Sequence, residues 1–218
     1  MPEHYFTAQP EAAERRQAIT VDLWGRTVRL STAAGVFSAE RLDPGTAVLL
    51  RSSPVPTGAP RLLDLGCGYG PIALALALHC PRATIDAVDV NERALALCRH
   101  NATALGVADR ITVCRPEQTD PAQRYDEIWS NPPIRIGKQP LHELLLTWLP
   151  RLKPPGVARL VVARNLGSDT LQAWLIDQGY DCVRAASAKG FRVLTVTGQP
   201  EPSPSPGTAP AADSGEGA

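Results

Sequence analysis

The chain has 218 residues, 44% of them hydrophobic, enough to bury the core of one ordinary domain. Lysine plus arginine (22) balances aspartate plus glutamate (22), so no global positive field draws in nucleic acid, and any such partner must be met locally. Five scattered cysteines without a CxxC pair argue against disulfides and metal. No apolar run approaches the roughly 20 residues of a membrane helix, and Glu3 and His4 interrupt any basic-then-apolar leader. The expectation is a soluble, cytoplasmic protein with no membrane contact and no metal.

In chain order, Thr20 to Thr32 alternates around Trp24-Gly25-Arg26, with Val21, Leu23, Val28 and Leu30 as its apolar members, and predicts a β-hairpin. Residues 1–51 are read as a small N-terminal cap carrying that hairpin, and 52–60 as a Pro/Gly/Ser linker. Residues 61–197 alternate strand-like and helix-like segments. Strands are expected near Arg61 to Leu65, Thr84 to Val88, Ile111 to Cys114, Glu127 to Ser130, Ala158 to Ala163, Asp181 to Ala185 and Phe191 to Val196. Helices fall between them near Pro71 to His79, Glu92 to Leu105, Pro140 to Leu152 and Ser168 to Gln178, with Asn91 suited to an N-cap and Pro140 to a first turn. This pattern predicts an α/β fold, a mostly parallel seven-stranded sheet with helices on both faces. Residues 198–218 hold Pro, Ser, Gly and Ala but no large apolar side chain, so burial cannot offset their ordering entropy, and they read as a disordered tail.

Three glycines, Gly66, Gly68 and Gly70, separate a buried strand from a helix, with Asp64 just before them and Cys67 between. The GxGxG spacing differs from the GxGxxG of pyrophosphate sites, and a carboxylate at Asp64 repels a pyrophosphate while suiting an ammonium or sulfonium ligand. Asp89 ends the next strand, where an acid in this architecture bonds ribose hydroxyls. The plainer alternatives are a tight turn that binds nothing and, for Asp89, a helix N-terminal charge. Asn131-Pro132-Pro133 ends the fourth strand of the domain; taken alone, it is equally a stiff turn.

Together with Gly35-Val36-Phe37-Ser38, Asp43-Pro44-Gly45-Thr46, Ile134-Arg135-Ile136-Gly137-Lys138 and Gly190-Phe191-Arg192-Val193-Leu194, and with His4-Tyr5-Phe6 at the start, these motifs resemble the small methyltransferase-domain family. That family comprises class I, Rossmann-like methyltransferases and includes guanine-N2 methyltransferases of small-subunit ribosomal RNA. The resemblance implies S-adenosyl-L-methionine as cofactor, held by Asp64, Gly66, Cys67, Gly68, Gly70, Asp89, Val90, Glu117 and Asn131. It implies that the Asn131 side-chain oxygen and the Pro132 carbonyl grip the hydrogens of an acceptor amine, localising its lone pair and aiming it at the methyl group. Pro133 and Ile134 are expected to meet the substrate; Phe37 is a candidate to do so or equally a core phenylalanine, and Arg135, Lys138, Lys189 and Arg192 are candidates to meet its phosphates or ordinary solvated surface charges. The implied product is N2-methylguanosine in 16S ribosomal RNA, with ribosomal RNA or a partly assembled small subunit as partner. An amide of protein glutamine or a small metabolite fits the same grip, and a non-catalytic RNA-binding module of this fold is the third possibility.

Overall fold

The structure is a computed structural model that describes residues 16–198. His4-Tyr5-Phe6 and the tail beyond Gly198 lie outside the described residues.

Strands β1 (Arg16–Leu23) and β2 (Arg26–Ala33) form the expected hairpin, longer at its open end than the sequence pattern marked. Its two-residue turn takes Trp24 at φ 53° and Gly25 at φ 82°, the doubly positive backbone that matches the right-handed twist of paired strands. An indole is an uncommon choice there. It is tolerated because Trp24 lies edge-on to both His79 and Trp129, and its Nε1–H donates to the Leu50 carbonyl.

Helix α1 (Pro44–Ser52) follows, and it corrects the sequence reading, which had only a hairpin before a linker at 52–60. Asp43 caps it through an Oδ1 bond from Thr46 N–H, and Pro44 occupies its first turn. The helix packs on the sheet through Val48, Leu49 and Leu50.

The main sheet is then laid down by β3 (Arg61–Leu65), α2 (Pro71–His79), β4 (Thr84–Val88), α3 (Glu92–Ala104), β5 (Ile111–Cys114), β6 (Tyr125–Ser130), α4 (Lys138–Trp148), β7 (Leu152–Ala163), α5 (Ser168–Asp177), β8 (Asp181–Ala188) and β9 (Phe191–Thr197). The helix expected at Pro140 to Leu152 starts two residues earlier and stops at Trp148, where Leu149–Arg151 tightens into a 3-10 turn before β7. Strand order is β5-β4-β3-β6-β7-β9-β8, with β9 antiparallel to both neighbours and every other pairing parallel.

Period-two alternation splits the core into two layers. Leu62, Trp129, Val161 and Val193 face α1, α2, α3 and the hairpin, while Leu63, Ile128, Leu160 and Leu194 face α4 and α5. Helix α2 reads Pro-Ile-Ala-Leu-Ala-Leu-Ala-Leu-His and is apolar all round, as a helix buried on every side must be. The hairpin takes up part of the cover: His79 meets the Leu23 carbonyl, and neighbouring α3 presents Asn101 to β2.

Candidate active site

The chain runs from β3 outward through β4 to β5, then returns to the other side of β3 with β6. This reversal opens a crevice at the carboxyl ends of β3 and β6, the place where open α/β sheets bind ligands. The glycine loop follows β3 and Asn131 follows β6, so topology alone brings both to one cavity of about 440 Å³. Of the residues expected there, Phe37, Gly66, Cys67, Gly68, Asp89, Val90, Asn131, Pro132, Pro133, Ile134 and Arg135 line it.

Asp64 and Gly70 stand just behind that lining. At Gly70, φ is 98° and a Cβ would lie 2.7 Å from Cys98 Sγ, so the sulfur of α3 fills the space that a side chain would need. The Cys67 thiol is pushed up by its hydrogen bond with the free thiol of Cys98 and by burial, which keeps it protonated and inert. Asp64 is completely buried: Oδ2 accepts from Ala73 N–H at 2.9 Å and Oδ1 has no partner. Burial pushes its carboxyl up to about 7, the Ala73 bond pulling the other way and the charge of Asp89 adding to the rise. Asp89 clasps the loop, accepting from Gly68 N–H on Oδ2 at 2.8 Å and from Asn91 N–H on Oδ1 at 2.9 Å. Burial raises its carboxyl as well, opposed by bonds from Asn91, Gly68 and Val90. Asn91 caps α3 and donates its Nδ2–H to the Gly35 carbonyl, tying the loop that carries Phe37 to the end of β4.

Across the cavity, Asn131 Nδ2 donates to Asp43 Oδ1 at 2.7 Å and to Thr46 Oγ1 at 3.0 Å. A carboxylate only accepts, so the amide nitrogen must face α1 and the oxygen must face away from it. The Pro132 carbonyl accepts from Ile134 N–H at 2.8 Å, which leaves one of its two lone pairs for a ligand.

Two expected residues are not brought to the cavity. Glu117 turns outward, its Oε1 2.6 Å from Arg115 Nε, and Pro116 takes the wall position instead. Lys138 is swung onto the start of α4 by Gly137, at φ 105°, and stands outside the lining. Arg192 is a further correction, since Asp169 pairs with its guanidinium and leaves it 13% exposed. Sequence reading did not single out Asp43, Thr46, Tyr69, Asn165 and Phe191 as wall residues, although all of them line the cavity. Asp43-Pro44 carried a usable signal, an N-cap followed by proline.

Charge at the mouth is uneven. A shallower hollow of about 490 Å³, lined by Arg164, Asn165 and Lys189, continues from the cavity through Ala163, Asn165 and Phe191. Arg135, Lys138, Arg164 and Lys189 take no part in the side-chain ion pairs among the described residues.

The methyltransferase small domain family matches residues 27–195. An uncharacterized Bacillus subtilis protein, YbxB, is 33% identical over 171 residues, covering 77% of this chain and 85% of that one. Ribosomal RNA small subunit methyltransferase C of Shewanella halifaxensis is 41% identical over 110 residues, covering 50% of this chain but only 31% of its own length. In fold, the chain is similar to a T. thermophilus 16S rRNA N2 methyltransferase, RsmC, solved in complex with AdoMet and guanosine. That match has a TM-score of 0.70 at 23% identity, covering 84% of this chain and 50% of the other. The chain thus spans about half or less of the ribosomal RNA methyltransferases it matches.

Proposed function

The chain belongs to the methyltransferase small domain family and is an S-adenosylmethionine-dependent methyltransferase, and from that premise we propose that it methylates the exocyclic N2 amine of a guanine in small-subunit ribosomal RNA. The observation that carries this reading is Asn131, whose amide nitrogen is occupied by Asp43 and Thr46 and whose oxygen is left for a ligand's N–H.

The residues fit the cofactor. An orphaned, fully buried carboxylate oxygen on Asp64 under a glycine loop is a natural counter-charge for the ammonium of the methionyl part. Asp89 stands at the strand end where this architecture bonds ribose hydroxyls, and Val90 and Pro116, which line the cavity, would supply apolar wall for an adenine. When bound, S-adenosylmethionine supplies an electrophilic methyl group on a sulfonium.

The chain's own task is to prepare the nucleophile. An exocyclic amine conjugated to a ring is a poor nucleophile because its lone pair is delocalised. Two acceptors, Asn131 Oδ1 and the free lone pair of Pro132, draw on its hydrogens, favour a more tetrahedral nitrogen and fix its direction. Phe37, 43% exposed at the cavity edge, offers an aromatic face to a base. No strong base is needed, since the nitrogen sheds its extra proton to water once the methyl group has added.

The choice of ribosomal RNA over a free amide is supported by the names of the relatives and by cations at the mouth that take no part in side-chain ion pairs among the described residues, which suit phosphates flanking a target base. The test is to incubate the protein with labelled S-adenosylmethionine and either an unmodified small-subunit RNA transcript or purified small subunits, then to identify the modified nucleoside by mass. N2-methylguanosine is expected. Label found only in protein or in small molecules overturns the RNA assignment.

A further inference from the structure

Asn131 is useful only if its oxygen, and not its nitrogen, meets the acceptor amine. A side-chain amide at the end of a strand has no intrinsic preference between its two flips, and the wrong one presents two donors to another donor. The Asn131 amide hydrogens are both spoken for by α1, at Asp43 Oδ1 and Thr46 Oγ1. Asp43 Oδ1 also accepts from Thr46 N–H at 2.9 Å, so one oxygen caps the helix and anchors the amide. Thr46 is 3% exposed and rides on the packed part of α1. Gly45 leaves room for this arrangement: a Cβ there would stand 2.9 Å from Asp43 Oδ1 and 2.9 Å from the Phe191 ring.

We infer that Asp43 is a positioning residue for methyl transfer, which with Thr46 locks the Asn131 amide in the one flip that presents its oxygen to the acceptor. The inference rests on the reading of Asn131 given above. Donation from the amide nitrogen into a carboxylate also pushes electron density onto Oδ1 and makes it a better acceptor, as chained hydrogen bonds do. A second consequence concerns residue choice at 131. A carboxylate there would confront Asp43 across 2.7 Å, so Asn131→Asp is disfavoured in this chain as long as Asp43 keeps its charge.

Helix capping and amide positioning are separable. Asp43→Ser keeps a good N-cap for Thr46 N–H, but its shorter side chain does not also reach Asn131. Asp43→Asn keeps acceptor oxygen at full length. In 15N spectra of the ligand-free protein, the Asn131 side-chain NH2 pair is identified by its disappearance in Asn131→Ala. We expect it shifted from the free-amide position in the wild type and in Asp43→Asn, and returned to that position in Asp43→Ser. Both variants should unfold cooperatively on heating, Asp43→Ser at the lower temperature of the two because it alone loses the bond to Asn131. Single-turnover methylation of an unmodified small-subunit RNA transcript should slow by roughly 10-fold or more in Asp43→Ser, the scale of losing one preorganised contact. It should slow further in Asn131→Asp and recover in part when Asp43→Asn is added, because two carboxylates then no longer confront each other. Amide resonances unmoved by Asp43→Ser, or an Asn131→Asp defect that Asp43→Asn does not relieve, overturn the inference. If Asn131→Ala itself methylates at the wild-type rate, the reading of Asn131 fails instead, and the amide resonances still decide whether Asp43 holds it.

Discussion

Asp64 ends β3 with one oxygen bonded to Ala73 N–H and the other to nothing, in complete burial. A carboxyl raised from 3.8 to about 7 binds a proton on folding anywhere between those values, so the ligand-free protein loses stability as pH rises through that window. Asp64→Asn keeps an acceptor for Ala73 without the charge. It should stabilise the ligand-free protein at pH 8 by roughly 2–4 kcal/mol and leave it unchanged at pH 4, read by thermal melting at both pH values. The same substitution should weaken S-adenosylmethionine at pH 8; a variant that binds as tightly as the wild type removes Asp64 from the site. Asp89 differs in that both its oxygens already accept from backbone N–H groups, of Gly68 in the glycine loop and of Asn91 at the cap of α3. Asp89→Ala should cost about 1.5–3 kcal/mol of cofactor binding by calorimetry, through a lost charge-assisted bond. Asn131→Ala should instead leave that affinity intact and lower turnover by about 10². An equal effect on binding and turnover would reassign Asn131 to the cofactor.

Among the elements, the hairpin is joined to the Rossmann-like sheet by α3 more than by its own turn. Asn101, 2% exposed, accepts from Ser31 N–H at 2.7 Å and donates to the Ser31 carbonyl at 2.9 Å and the Tyr69 carbonyl at 3.0 Å. One side chain thus serves as the missing strand partner of β2 and links it to the glycine loop. Asn101→Ala leaves three backbone groups without that partner and should cost roughly 2–4 kcal/mol in urea unfolding; a change below about 0.5 kcal/mol would mean that water replaces it without loss. Much of the frame around this link was legible in the sequence. Buried runs such as Leu62 to Leu65, which ends at Gly66, and Asn91 before a helical period are local signals, and α2 and α3 begin where they indicate. Helix α1 was not legible from apolar spacing, because Val48-Leu49-Leu50 is one continuous apolar run whose helical form depends on packing against the sheet. Glu117 and Arg192 were misplaced for a related reason. Each is claimed by a partner, Arg115 and Asp169, that no motif announces.

At the scale of the whole molecule, equal numbers of acids and bases hide an uneven distribution. A minority of the cations are spent in internal ion pairs among the described residues: Arg61 grips Asp86, Lys153 pairs with Asp126, Arg159 with Glu127 and Arg184 with Asp169. Arg135 lies at the cavity and Arg164 in the adjoining hollow, neither in a side-chain ion pair among the described residues. A polyanion brought to the cavity would meet these two charges, with no net positive charge on the rest of the molecule to add to them. For an unmodified small-subunit RNA transcript, the logarithm of the binding constant should therefore fall with the logarithm of salt concentration along a shallow slope set by few contacts. Arg135→Gln and Arg164→Gln should each reduce that slope by about 1 and weaken binding. Gln keeps length and polarity, so a fall in slope reports charge and not packing. Should both variants keep the wild-type slope, the mouth carries no phosphate, and the acceptor amine is presented by something other than a nucleic-acid strand crossing this face.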